Sequence, residues 1–162
     1  LKGYVCLSTD DIRTFLKKLL DKNIYPNLFF DDKLTVSEFY EKYPLPQTVF
    51  ELELKQALDT QIGINALIES KFEWEKIAIE GIAITPEYVN MLIKRGVKLQ
   101  YSFLYDDNVQ RIKERIYKRG LWDDADKYEE KYKEIEIEWV ILFNKYYKEE
   151  CEKYGLKIQK SD

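Results

Sequence analysis

The chain has 162 residues, no histidine and a formal charge of −4. The acidic balance gives no basic field for nucleic acid, and without histidine any catalysis must run on carboxylates, Lys, Arg or Tyr. No apolar run approaches the roughly 20 residues that span a membrane, and two distant cysteines, Cys6 and Cys151, make neither a disulfide framework nor a zinc signature, so a cytoplasmic protein is expected.

Tyr4-Val5-Cys6-Leu7 is a short apolar run that reads as a buried strand of a parallel sheet. Ile12, Phe15, Leu16 and Leu19 then recur at i, i+3, i+4 and i+7, one face of an amphipathic helix. Between the two lies Ser8-Thr9-Asp10-Asp11-Ile12-Arg13, which places two carboxylates and a guanidinium at the carboxyl end of a strand. Ligands bind along that rim in open α/β sheets. The plainer reading makes Thr9 or Asp10 an N-cap, the next acid a dipole partner, and Arg13 a solvated side chain.

From Lys22 to Pro46 the pattern is irregular, with a short helix predicted over about Val36–Tyr43. A longer helix is predicted over roughly Thr48–Ser70, with Phe50, Leu54, Leu58, Ile62 and Leu67 or Ile68 inside and Gln56, Thr60 and Gln61 polar. Lys76-Ile77-Ala78-Ile79-Glu80-Gly81 is the second strand signal. Thr85-Pro86-Glu87 starts a helix that Arg95-Gly96 stops. A third strand is predicted over Val97–Tyr105, then a helix capped by Asp106-Asp107 with Arg111, Arg115 and Arg119 on one face. The last helix, about Asp123–Tyr154, carries a seam of Tyr128, Tyr132, Ile135, Trp139, Leu142 and Tyr146, which reads as core. A strand over Leu156–Gln159 follows.

Strands alternating with helices predict a three-layer α/β fold, one parallel sheet with helices on both faces. Acids after two strands and arginines after a third suit phosphoryl transfer. That reaction needs a carboxylate on the attacking hydroxyl, another near Mg²⁺, and cations against the transferred charge.

In this order the segments resemble the P-loop kinases, most closely the 2-phosphoglycerate kinase family. Ser8-Thr9-Asp10-Asp11-Ile12-Arg13 resembles its post-strand Thr-Asp-x-Ile-Arg signature, and Ile79-Glu80-Gly81 with Pro86 its apolar Glu-Gly…Pro motif. Gln56, Gln61, Ala66 and Ile68 resemble the helix before that strand; Arg111, Arg115 and Arg119 resemble its lid arginines. Lys127-Tyr128 and Ile135 resemble its next helix, and Gly155-Leu156-Lys157-Ile158 its last strand.

The resemblance implies one kinase-like domain over 1–162, with a substrate-side insert at 22–46 and a lid at 106–126. It implies ATP and Mg²⁺ as cofactors and a small, phosphorylated metabolite as substrate; a polynucleotide 5′-hydroxyl also lies within the resemblance, but the acidic balance argues against nucleic acid as partner, as the short apolar runs do against a membrane. Asp10 would act on the acceptor hydroxyl, and Asp11, Arg13 and Gln56 would bind the acceptor. Glu80 would hold the metal through water, and Arg111, Arg115 and Arg119 would close on the phosphates.

Two features depart from the family. No G-x-x-x-x-G-K-[ST] occurs anywhere, and Ile82-Ala83 stand where the family commonly has a histidine. The chain begins at Leu1 with Met91 its single methionine, so the phosphate loop and its central strand are expected upstream, where their slot would otherwise need another strand. The alternative is a non-catalytic binding or scaffold domain without the loop.

Overall fold

The computed structural model describes residues 3–70, 76–118 and 129–161. Helix dominates, at 62% of the described residues, and the chain divides into two compact units. The first unit comprises 1–32 and 52–85, and the second comprises 33–51 and 86–162. The segment 22–46 is thus shared between the units.

In the first unit, β1 (Val5–Ser8) pairs in parallel with β2 (Ile77–Glu80), Ser8 standing opposite Glu80. Helix α1 (Thr9–Leu19) starts directly from β1. Its cap is Ser8, whose hydroxyl accepts from the Asp10 N–H at 3.1 Å, one residue ahead of the predicted cap; Thr9 is buried inside the first turn. Ile12 and Leu16 are buried as expected, whereas Phe15 and Leu19 point to solvent at 67% and 79% exposure. Gly63 on α3 explains the narrowing. A Cβ there would lie 2.6 Å from the Ile12 Cγ2, so the missing side chain lets α1 seat Ile12 and Leu16 on α3 and turns its flanks outward.

Helix α3 (Pro46–Glu69) runs through both units. Its predicted inner face is corrected by the same contact. Gln56, Ala57, Thr60 and Ile64 are buried, while Leu58 and Ile62 are exposed. After β2 the chain turns instead of extending, with the Ile84 N–H donating to the Gly81 carbonyl. Gln61 fastens this turn through Nε2 to the Ala83 carbonyl at 3.0 Å and the Thr85 hydroxyl at 3.2 Å.

In the second unit, Thr35 and Glu38 form a reciprocal capping box on α2 (Val36–Lys42). Tyr40, Val49 and Tyr132 are buried together, and Trp139 donates from Nε1 to the Tyr40 hydroxyl at 3.1 Å. Helix α4 (Pro86–Lys94) ends at Gly96, where φ is 78° and the Val97 N–H bonds back to the Leu92 carbonyl. Strand β3 (Phe103–Tyr105) pairs in parallel with β4 (Ile158–Lys160). Helix α5 (Val109–Lys118) buries Ile112 and Ile116 against Ile137 of α6 (Glu130–Tyr154). Phe103 and Phe143 each pack against the Tyr147 ring, but none of the three belongs to the predicted seam, of which Tyr132 is buried while Ile135, Trp139, Leu142 and Tyr146 are half-buried. Ile137, Phe143 and Cys151 are the other buried apolar residues of α6. The Tyr128 position of that seam lies outside the described residues.

The single three-layer parallel sheet is overturned. The described strands form two separate two-stranded parallel sheets, β1–β2 and β3–β4, of three or four residues per strand. The third strand predicted over Val97–Tyr105 is reduced to its last three residues, and its first, Val97, instead closes α4. Apolar runs establish that a segment can be a strand; they do not establish how many neighbours it finds.

Candidate functional site

The turn from β1 into α1 and the end of β2 meet closely. Gly81 adopts φ +127°, and a Cβ there would stand 2.0 Å from the Thr9 hydroxyl oxygen, so only glycine lets the two chain segments approach. This contact fixes the start of α1, and with it Asp10 and Arg13.

Around that start lies a continuous polar cluster. Arg13 donates from a terminal nitrogen to the Gln56 Oε1 at 2.6 Å, and its other terminal nitrogen is 3.4 Å from Asp10. Gln56 is only 1% exposed and is itself held, its Nε2 donating to the Leu28 carbonyl at 3.2 Å and to Asp31 at 3.4 Å. Lys17, one turn beyond Arg13, pairs with Asp31 at 2.6 Å and Asp32 at 3.0 Å. Of the predicted acceptor set, the fold therefore unites Asp10, Arg13 and Gln56. Asp11 is exposed on α1, and Glu80 is exposed at the end of β2 opposite Ser8.

The pattern of residues did not single out Lys17, Asp31, Asp32 or Glu53. Glu53 lies half-buried one turn before Gln56 on α3, and burial pushes its carboxyl up to about 7. Arg13 and Lys17 oppose that rise, whereas Asp31 and Asp10 reinforce it. The i, i+3 spacing of Glu53 and Gln56 was the available signal, since such residues share a helix face.

The second unit holds a different charged centre. Asp106, 5% exposed, takes both its oxygens to Arg111, Oδ2 from Nε at 2.6 Å and Oδ1 from NH2 at 2.7 Å. Arg115 reaches the same carboxylate and the Ser161 hydroxyl, each at 3.2 Å, and Arg111 also donates to the Ser161 carbonyl. The Arg111 hydrogen bonds outweigh the cost of burial and hold the Asp106 carboxyl down to about 2. Asp106 Oδ1 also accepts from the Asn108 N–H at 2.9 Å, so Asp106 braces the turn before α5 and does not hold the cap position itself. Asn108 does, its Oδ1 accepting from the Arg111 N–H at 3.0 Å. Beside this centre is a cavity of about 350 Å³ bordered by Leu104, Ile112, Ile116 and Val140. Arg119 and the part of the predicted lid beyond residue 118 lie outside the described residues.

No family model, curated protein or solved structure matches the chain. The likeness to 2-phosphoglycerate kinases stands on the sequence motifs alone.

In P-loop enzymes a ring of backbone N–H groups and a lysine cradle the nucleotide phosphates. The described residues do not fit that group: the sequence has no such loop, and Arg111 and Arg115 are engaged with Asp106. Among the described residues no three Asp, Glu or Cys side chains are grouped to hold a metal ion. Nor is any described helix long and apolar enough to cross a membrane.

Proposed function

We propose that the Asp10–Arg13–Gln56 cluster is the acceptor-binding side of a phosphotransferase, taking a small metabolite that carries a hydroxyl and an anionic group. The observation that carries this reading is the mounting of Arg13. A guanidinium has five N–H donors in a rigid fork. The buried Gln56 amide fixes that fork at one end and leaves donors for a carboxylate or phosphoryl group. Asp10, about one turn of helix earlier and mostly exposed, can accept the hydroxyl proton of a molecule so held. The motif likeness to 2-phosphoglycerate kinases supports the same assignment, and no step of the donor phosphate is derived from these residues.

The test is calorimetric titration with phosphorylated hydroxy acids, 2-phosphoglycerate first. Removing a charge-assisted contact costs about 1.5–3 kcal/mol, so Arg13→Ala should weaken binding by roughly ten- to a hundredfold. Asp10→Asn should leave binding within a few-fold. Unchanged affinity in Arg13→Ala overturns the reading.

A second reading, a binding domain without catalysis, is favoured by the absent phosphate-loop motif and by the Asp106 grip on Arg111 and Arg115. It predicts the same binding results with no turnover when a nucleoside triphosphate is added.

A further inference from the structure

The cavity of the second unit has no part in the acceptor site. Its volume of about 350 Å³ lies at the small end of the roughly 300–1,000 Å³ found for small-molecule sites. Leu104 of β3, Ile112 and Ile116 of α5, and Val140 of α6 make an apolar stretch of its wall. Leu104 is exposed, so an apolar occupant would take that side chain out of water. The rest of the wall is polar and includes Asp106, Arg115, Asn144 and Ser161.

These polar groups are held in a fixed order. Asn144 Oδ1 accepts from the Asp106 N–H at 2.6 Å and anchors its backbone. Arg111 then takes both Asp106 oxygens, at 2.6 and 2.7 Å, which closes a bidentate pair. Arg115 is a second guanidinium on the same carboxylate, at the longer distance of 3.2 Å and with an exposed side chain. A ligand carboxylate can therefore take up Arg115 while Arg111 keeps Asp106 in place. The Ser161 hydroxyl accepts from Arg115 and has an O–H of its own to donate. Two guanidiniums meet one buried carboxylate, so among the described residues this cluster carries more positive charge than negative.

We propose that this cavity is a second binding site, taking a small monocarboxylate with an apolar tail: the head bonds Arg115 and Ser161, and the tail lies against Leu104, Ile112, Ile116 and Val140. A guanidinium fork matches a carboxylate in geometry as well as charge. A singly charged head suits a cluster whose positive excess is one charge, and a doubly charged one would compete with Asp106 for Arg111. The tail supplies the larger share of affinity, because the head exchanges one carboxylate for another on Arg115 whereas every buried methylene leaves water.

The test is calorimetric titration of the whole chain at neutral pH with hexanoate, octanoate and decanoate, and with octanamide as the uncharged counterpart. Each methylene moved from water onto the apolar wall is worth about fourfold in affinity. Binding should tighten by about that factor per carbon from hexanoate upward and level off once the cavity is full. Octanamide should bind about tenfold more weakly than octanoate, since it forgoes the charge-assisted contact. Arg115→Gln should bind octanoate and octanamide alike, and Arg115→Lys should restore part of the preference. Val140→Phe, which narrows the apolar stretch, should weaken decanoate more than hexanoate. Methyl resonances of Leu104, Ile112, Ile116 and Val140 should shift during the wild-type titration. Failure of all three carboxylates to bind, or binding that leaves those methyls unmoved, overturns the proposal. A wild-type protein indifferent to octanoate and octanamide, or a preference retained in full by Arg115→Gln, overturns it as well.

Discussion

Gly81→Ala tests whether the close approach of β2 to the start of α1 holds the first unit together. The native φ of +127° lies where an L side chain is strained, at a cost of about 1–3 kcal/mol. The new Cβ would meet Thr9 at 2.0 Å from Oγ1, 3.0 Å from Cβ and 3.2 Å from Cγ2. Thr9 is 2% exposed and cannot swing aside, so overpacking adds about 1–3 kcal/mol. The stiffer unfolded chain returns about 0.4–1 kcal/mol, leaving a net loss of about 1–6 kcal/mol. Urea unfolding followed by circular dichroism reads this directly. Thr9→Ala in the same background separates the two causes. It removes the oxygen in the clash but not the backbone strain, so the double-mutant cycle should show a coupling of about 1–3 kcal/mol. A Gly81→Ala protein within about 0.5 kcal/mol of wild type, or a cycle without coupling, would refute the steric account.

Two further outcomes concern titration. Glu53 is raised from 4.5 to about 7, so the folded chain keeps a proton that the unfolded chain releases. Its stabilising contribution is whole below 4.5 and lost as pH rises through about 7. In ligand-free thermal unfolding, Glu53→Gln should therefore be the more stable protein above neutrality, by up to about 3 kcal/mol, the difference vanishing in acid; equal stability at all pH values would remove burial as the cause. Asp106 is the opposite case, lowered from 3.8 to about 2, so its contribution is present above 3.8 and disappears as pH falls through about 2. Asp106→Ala takes the carboxylate from the Arg111 guanidinium, which is 28% exposed, and should cost about 2–4 kcal/mol in urea unfolding at neutral pH while shrinking in acid; a loss under about 1 kcal/mol would show that water and the Ser161 carbonyl replace the carboxylate.

Local rules carried much of this protein. Pro86 and Gly96 bound α4, Gly155 closes α6 in the left-handed conformation at φ 65°, and the two apolar runs become β1 and β2. The juxtaposition of Asp10 with Arg13 was equally legible, because residues three apart on a helix are neighbours wherever the helix lies. What the sequence alone could not decide was everything that depends on a partner distant in the chain. Whether Phe15 or Leu16 faces inward turns on a missing side chain at Gly63, some fifty residues away. Asp106 has the chemistry of a helix cap, but its burial depends on Asn144, whose Oδ1 accepts the Asp106 N–H, and on Ser161, which holds the Arg111 and Arg115 side chains that grip it. Strand propensity marked four segments, but edge-to-edge pairing is a long-range choice, and it produced two short parallel pairs where one sheet was expected. Glu53 becomes a weaker acid only once folding buries it, because desolvation is a property of the packed chain and of no residue by itself.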